Sequence, residues 1–150
     1  MMNILIPVDG TSHALLAVHH AMRMVHSGLH ARFVVANVQE NATLYEMVVA
    51  HDPAVLEKVG QEAGLDLMRP AVALLEAAGQ KVTQKVGRGD PAHVLVDLVE
   101  EQGCDAVIMA AGNNGGLRAA LLGSVAQYMV DHCPVPVTVV RDPVAPSEEE

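Results

Sequence analysis

Short apolar runs alternate along this chain with longer segments whose apolar residues return every three or four positions. Asn3 to Val8 is a run of the strand type. Asp9-Gly10-Thr11-Ser12 follows as a turn rich in helix-capping side chains. Leu15, Val18, Met22, Val25 and Leu29 then mark one stripe of a helix that Gly28 closes. Ala31 to Val38 reads as a second strand. Gln39 to Asp52 has no clear period and reads as a long loop with room for a helical turn. Pro53 suits the first turn of a helix, whose stripe is Leu56, Val59, Ala63, Leu67, Ala71, Leu74 and Ala78, closed by Gly79. Gly60 and Gly64 weaken that helix by about 1 kcal/mol each relative to alanine. Gln80 to Val86 alternates polar and apolar residues, as an edge strand does. Asp90-Pro91 supplies an N-cap and a first helical residue, and Val94, Leu95, Leu98 and Val99 form the apolar face behind them. Asp105 to Ala111 is a strand of the fully buried type. Leu121, Leu122, Val125 and Met129 mark the last helix, and Val135 to Arg141 the last strand.

Strands joined by helices predict an α/β fold with a parallel sheet and right-handed crossovers. No repeat or linker divides the chain, and its 150 residues suit one domain. Ligands of such open sheets sit beyond the carboxyl ends of the strands. The segments to watch are therefore 9–12, 38–41, 87–90 and 110–124.

Composition narrows the function. The chain has 9 basic and 18 acidic residues, a formal net charge of −9, which argues against nucleic-acid binding through a basic face. Phe33, Tyr45 and Tyr128 are the aromatic residues, too few for a base-stacking platform. No apolar run has the roughly 18–20 residues of a membrane span. The start, Met1 to Asp9, lacks the basic segment of a signal peptide. Cys104 and Cys133 form no disulfide framework, so a cytoplasmic setting is expected.

The best chemical signal is the glycine-rich segment Gly112-Asn113-Asn114-Gly115-Gly116, with Gly123-Ser124 at the start of the last helix. Glycines allow close backbone approach, and a helix N-terminus offers free N–H donors to a phosphate. A plain helix entry that needs flexible glycines and a serine cap explains the same residues equally well. Asp9 could accept hydrogen bonds from a ribose or base, or simply cap the first helix. Gly87-Arg88-Gly89-Asp90-Pro91-Ala92 has the form of a dinucleotide fingerprint. It follows an edge-type strand, however, and capping by Asp90-Pro91 explains it; Arg88 would still favour a nearby anion. His19, Arg23, His26 and His30 form a solvated polar face rather than a metal site. His13 lies near the ligand edge, where it could touch a phosphate, but a surface role fits it better. Cys104 and Cys133 read as small packing residues. No nucleophile with a local base, zinc-protease motif or P-loop is present, so no enzymatic activity is expected.

Three stretches, ILIPVDGTSHALLAV, GDPAHVLVDLVEEQGCDAVIMAA and GLRAALLGSVAQYMVDHCPVPVTVVR, occur in an order and separation that resemble the universal stress protein family. The resemblance covers about residues 2–141. It implies a single domain over 1–142, followed by an acidic disordered tail over 143–150. It implies an open, Rossmann-like parallel sheet of five strands in the order 3-2-1-4-5, with helices on both faces. Many members bind ATP through a G-x-x-G-(x)9-G-[ST] pattern. Here Gly123 and Ser124 match its end, while Ala110 and Asn113 replace its first two glycines. The resemblance implies Pro7, Val8, Asp9, Gly10 and Val38 as contacts on the base and ribose side. On the phosphate side it implies Ala110, Gly112, Asn113, Gly115, Gly116, Gly123, Ser124 and Val125. It further implies a homodimer through Val135 to Val140. The expected function is a non-enzymatic, ATP-binding dimer acting in stress response on an unknown protein partner. The expected cofactor is ATP, accompanied by Mg²⁺ or Mn²⁺ to offset charge. AMP or cyclic AMP is the intermediate option. An interaction module that binds no ATP is the alternative, and a slow ATPase ranks last.

Overall fold

A computed structural model describes residues 1–41, 44–50, 52–112 and 122–142. The elements are β1 (Met2–Pro7), α1 (Leu15–His26), β2 (Ala31–Gln39), α2 (Leu44–Ala50) and α3 (Pro53–Ala77), then β3 (Val82–Arg88), α4 (Pro91–Glu101), β4 (Ala106–Ala110), α5 (Ser124–His132) and β5 (Val137–Val140). The five strands form one sheet in the order β3-β2-β1-β4-β5, and every pairing is parallel. This is the expected fold.

Strand side chains alternate between faces, so the sheet has two cores. Ile4, Ile6, Phe33 and Val35 meet Val18 and Ala21 of α1 and Met68 and Leu75 of α3. Leu5, Val34, Ala36, Val107 and Met109 meet Leu95 and Val99 of α4 and Met129 of α5. Cys104 packs into the second core and Cys133 packs against it. Burial, then Asp105, then Cys133 push the Cys104 thiol up to about 11. His19, Arg23, His26 and His30 are exposed, as a solvated face requires.

The interval 39–52 contains a helix, α2, where a loop was expected. Met47, Val48 and Val49 of α2 are all exposed, so its described apolar side chains mark no buried face. The buried face of α3 also differs from the expected stripe. Gly64, Met68, Ala71, Val72 and Leu75 are buried, whereas Val59 is 59% and Leu67 38% exposed. The physical reason is glycine. A Cβ on Gly64 would lie 2.7 Å from Val86 Cγ1, and one on Gly60 would collide with the Arg88 guanidinium. The two residues that lower helix propensity are the ones that let α3 approach β3, and a search for large apolar residues passes over them.

β3 begins and ends two residues later than the polar–apolar alternation suggested. Gly87 and Arg88 belong to the strand, paired with Val38 and Gln39. The Asp90 carboxylate accepts from His93 N at 3.2 Å and caps α4. The fingerprint-like segment is therefore a strand end and a cap. α5 starts at Ser124, later than the pattern from Leu121 suggested. The acidic tail expected over 143–150 lies outside the described residues.

Candidate functional site

A cleft of about 390 Å³ opens where β1, β2 and β4 end and α5 begins. That volume lies within the range of small-molecule sites. Pro7, Val8, Asp9 and Val38 line one side of it, and Ala110, Gly112, Gly123, Ser124 and Val125 the other. The fold thus brings these expected contacts together. Gly10 is not part of the lining. It turns at φ +89°, and a Cβ there would collide with Leu67 of α3. Asn113, Gly115 and Gly116 lie outside the described residues.

Side chains hold the β1–β2 wall. Val8 N–H donates to Ala36 O at 2.8 Å, one step past the end of β1. Val8 O accepts from Asn37 Nδ2 at 2.9 Å, and Asn37 Oδ1 accepts from Gln39 Nε2 at 2.7 Å. Asn37 is the buried polar residue among those described, at 4% exposure. It lines the cleft and was not singled out from sequence. The available signal was one amide in the otherwise apolar run FVVANV, because a buried polar group needs a partner. Asp9 Oδ1 accepts from Thr11 N at 3.0 Å and Thr11 Oγ1 at 2.6 Å, and Thr11 Oγ1 accepts from Ala14 N at 3.2 Å. Asp9 thus orders the turn before α1 and borders the cleft, but it does not cap α1, whose N-cap residue, Ala14, has no side-chain capping hydrogen bond.

Backbone builds the β4–α5 wall. Ala111 N–H donates to Val140 O at 2.8 Å, and Gly112 N–H donates to Leu122 O. A Cβ on Gly112 would lie 2.7 Å from Gly123 Cα. Gly123 itself has φ +89°, a left-handed value that favours glycine. These two glycines pass back to back, and α5 starts at the crossing. Ser124, Val125 and Ala126 in its first turn all line the cleft. First-turn N–H groups have no intrahelical acceptor and carry the positive end of the helix dipole.

His13 crosses from the first wall to the second. Its Nε2–H donates to Ala111 O, and it lines the cleft rather than standing on the open surface. Among the described residues, the other titratable side chains of the lining are Asp9 and Glu40. An anionic ligand would therefore rely on the α5 N-terminus, and an accompanying cation would offset the two carboxylates. At the rim beside Pro91, the Asp90 carboxyl is held below its ordinary value, chiefly by hydrogen bonds from the His93 side chain and backbone. Arg88 is not in this lining. It borders a second cleft of about 270 Å³, and its Nη2 donates to Leu56 O at 3.1 Å. Among the described residues no group of three or more histidine, cysteine or acidic side chains could hold a metal. No helix among them is long and apolar enough to cross a membrane.

The model of the family described as "Universal stress protein family" matches residues 1–141. The solved structure of MJ0577, a universal stress protein of Methanocaldococcus jannaschii, is similar with a TM-score of 0.75 at 25% identity, covering 96% of this chain and 98% of that one. A universal stress protein family protein from Arabidopsis thaliana, solved with AMP bound, has a TM-score of 0.67 at 18% identity and covers 100% and 96%. A universal stress protein solved in complex with cAMP has a TM-score of 0.64 at 20% identity and covers 93% and 96%. The last two likenesses are likenesses of fold.

Proposed function

We propose, from the premise that this chain belongs to the universal stress protein family, that its cleft binds an adenine nucleotide and that the protein acts by binding rather than catalysis. One observation carries the reading. The N-terminus of α5 and the turn after β1 open onto one cleft of nucleotide size, with Asp9 and Val38 on one wall and Gly123-Ser124 on the other. In this reading the base lies against Pro7, Val8 and Val38. The ribose hydroxyls meet Asp9, and the phosphates face the first turn of α5. AMP and cAMP are the ligands of two proteins with this fold, and ATP would extend the same pose at its phosphate end. We further propose that two copies pair through β5, which among the described residues forms one edge of the sheet, the position from which a strand can pair with its copy. Occupancy would then be read by a protein partner.

The test is direct. Protein purified without added ligand is denatured, any released nucleotide is identified by mass spectrometry, and that nucleotide is titrated calorimetrically. Stoichiometric ATP, AMP or cAMP is the expected result. Empty protein that also fails to bind millimolar ATP with Mg²⁺ would overturn the reading. It would favour the interaction module of the same fold, which the methyl group of Ala110 and the carboxylate of Glu40 at the cleft support. Light scattering on the same sample checks the dimer.

A further inference from the structure

His13 comes from the turn before α1, yet its ring ends on a carbonyl at the exit of β4, 98 positions away. A carbonyl oxygen can only accept, so the ring carries its hydrogen on Nε2. Ala111 is 4% exposed and lies beyond the end of β4, and its carbonyl takes its donor from outside the sheet. The two ends of the Ala111–Gly112 peptide plane are therefore both held. His13 grips its oxygen, and Leu122 O takes its N–H. The next atoms along are the crossing of Gly112 and Gly123 from which α5 starts. The turn that delivers the ring is itself tied, because Leu16 N–H donates to His13 O at 3.1 Å and Ala14 N–H to Thr11 Oγ1.

We propose that His13 is a positioning residue that locks the Ala111–Gly112 peptide plane and thereby sets the phosphate-facing wall of the cleft. The proposal rests on the nucleotide reading for its ligand, but not for the lock itself. A plane followed by glycine rotates easily when one end is released, because glycine accepts positive and negative φ alike. Such a rotation breaks the Gly112–Leu122 bond and reverses a peptide dipole at the start of α5. The β1–β2 wall, held by Asn37 and Thr11, has no part in that bond. Loss of His13 should therefore weaken the hold on phosphates and spare the nucleoside.

The experiment uses the whole chain as wild type, His13→Ala, His13→Gln and the exposed control His19→Ala, titrated with adenosine and with ATP–Mg²⁺. In His13→Ala the ratio of ATP to adenosine affinity should fall by about tenfold or more, with adenosine itself changed by less than about threefold. His13→Gln, whose side-chain amide can donate to the same carbonyl, should restore most of the ratio. His19→Ala should match wild type. A ratio unchanged in His13→Ala would overturn the proposal, as would equal losses for both ligands or no rescue by glutamine. Amide hydrogen exchange on the ligand-free proteins is the second arm. The Gly112 amide should exchange about tenfold faster in His13→Ala than in wild type or His13→Gln, and unchanged exchange would overturn the lock. If the wild type binds neither ligand, the nucleotide reading fails by itself and the exchange arm still decides the lock.

Discussion

Where β1 and β2 end, the cleft wall is held by side chains: Asn37 carries the Val8 carbonyl, Gln39 carries Asn37, and Asp9 carries the Thr11 turn. Where β4 ends and α5 begins, the wall is backbone against backbone, with Gly112 on Gly123. The two constructions fail differently. A side-chain wall loses one bond at a time, and its neighbours can move to compensate. A backbone crossing has no rotamer to yield, so one added methyl must displace a strand exit or a helix entry. His13 is the strut between them.

The largest break should come from the crossing. Gly112→Ala places a Cβ 2.7 Å from Gly123 Cα. It should cost about 2–3 kcal/mol of stability, as overpacking does, and reduce nucleotide affinity about 100-fold or more. Urea unfolding and calorimetry measure the two effects. Gly123→Val should act similarly, because its φ of +89° is strained for a β-branched residue.

Next is Asn37→Leu, which keeps the volume and removes the amide. It leaves Val8 O unpartnered beneath the wall and should destabilise by about 1–3 kcal/mol. Adenosine and ATP should weaken together, because the nucleoside wall is shared by both. A selective loss of ATP would contradict the division into two walls. Asp9→Ala should follow, at about tenfold in nucleoside affinity and under about 1 kcal/mol in stability, since only turn bonds to Thr11 are lost.

The smallest effect is one of pH. The Asp90 carboxyl is lowered from its ordinary value of 3.8, first by the His93 side chain and then by the His93 backbone. A carboxyl lowered on folding stabilises above its unfolded value and loses that contribution as pH falls through the folded one. A slight fall in Tm should therefore begin near pH 3.8 and continue below it, and Asp90→Asn should not show it. Both partners are exposed, so the change should be small and shrink with salt.

The sheet order and most elements were legible because large apolar residues report burial directly. Ile4 and Ile6 point one way and Leu5 the other, which the continuous run NILIPV expresses. Asp90-Pro91 announced α4, and its cap is as expected. α2 was legible only as a loop with room for a helical turn, since its described apolar side chains, Met47, Val48 and Val49, are exposed and mark no period. The face of α3 was misjudged because Gly60 and Gly64 contribute contact through absence of a side chain. In the cleft, Asp9, Val38 and Gly123-Ser124 stood out as strand ends and a helix start. Asn37 did not, and His13 did so only as a residue near the ligand edge, because their partners, Val8 O and Ala111 O, lie 29 and 98 positions away.

The alternation of strands and helices, the two-faced strands, the cap of α4 and the segments that border the ligand edge all follow from the order of residues along the chain. Each depends on residues within a few positions of one another, where period and turn chemistry act. Tertiary structure alone decided which face α3 buries, that Gly112 and Gly123 cross, and that Asn37 and His13 brace the two walls. Those outcomes are distances between residues far apart in the chain. A glycine or a backbone carbonyl carries no mark of its distant neighbour until the sheet has brought them together.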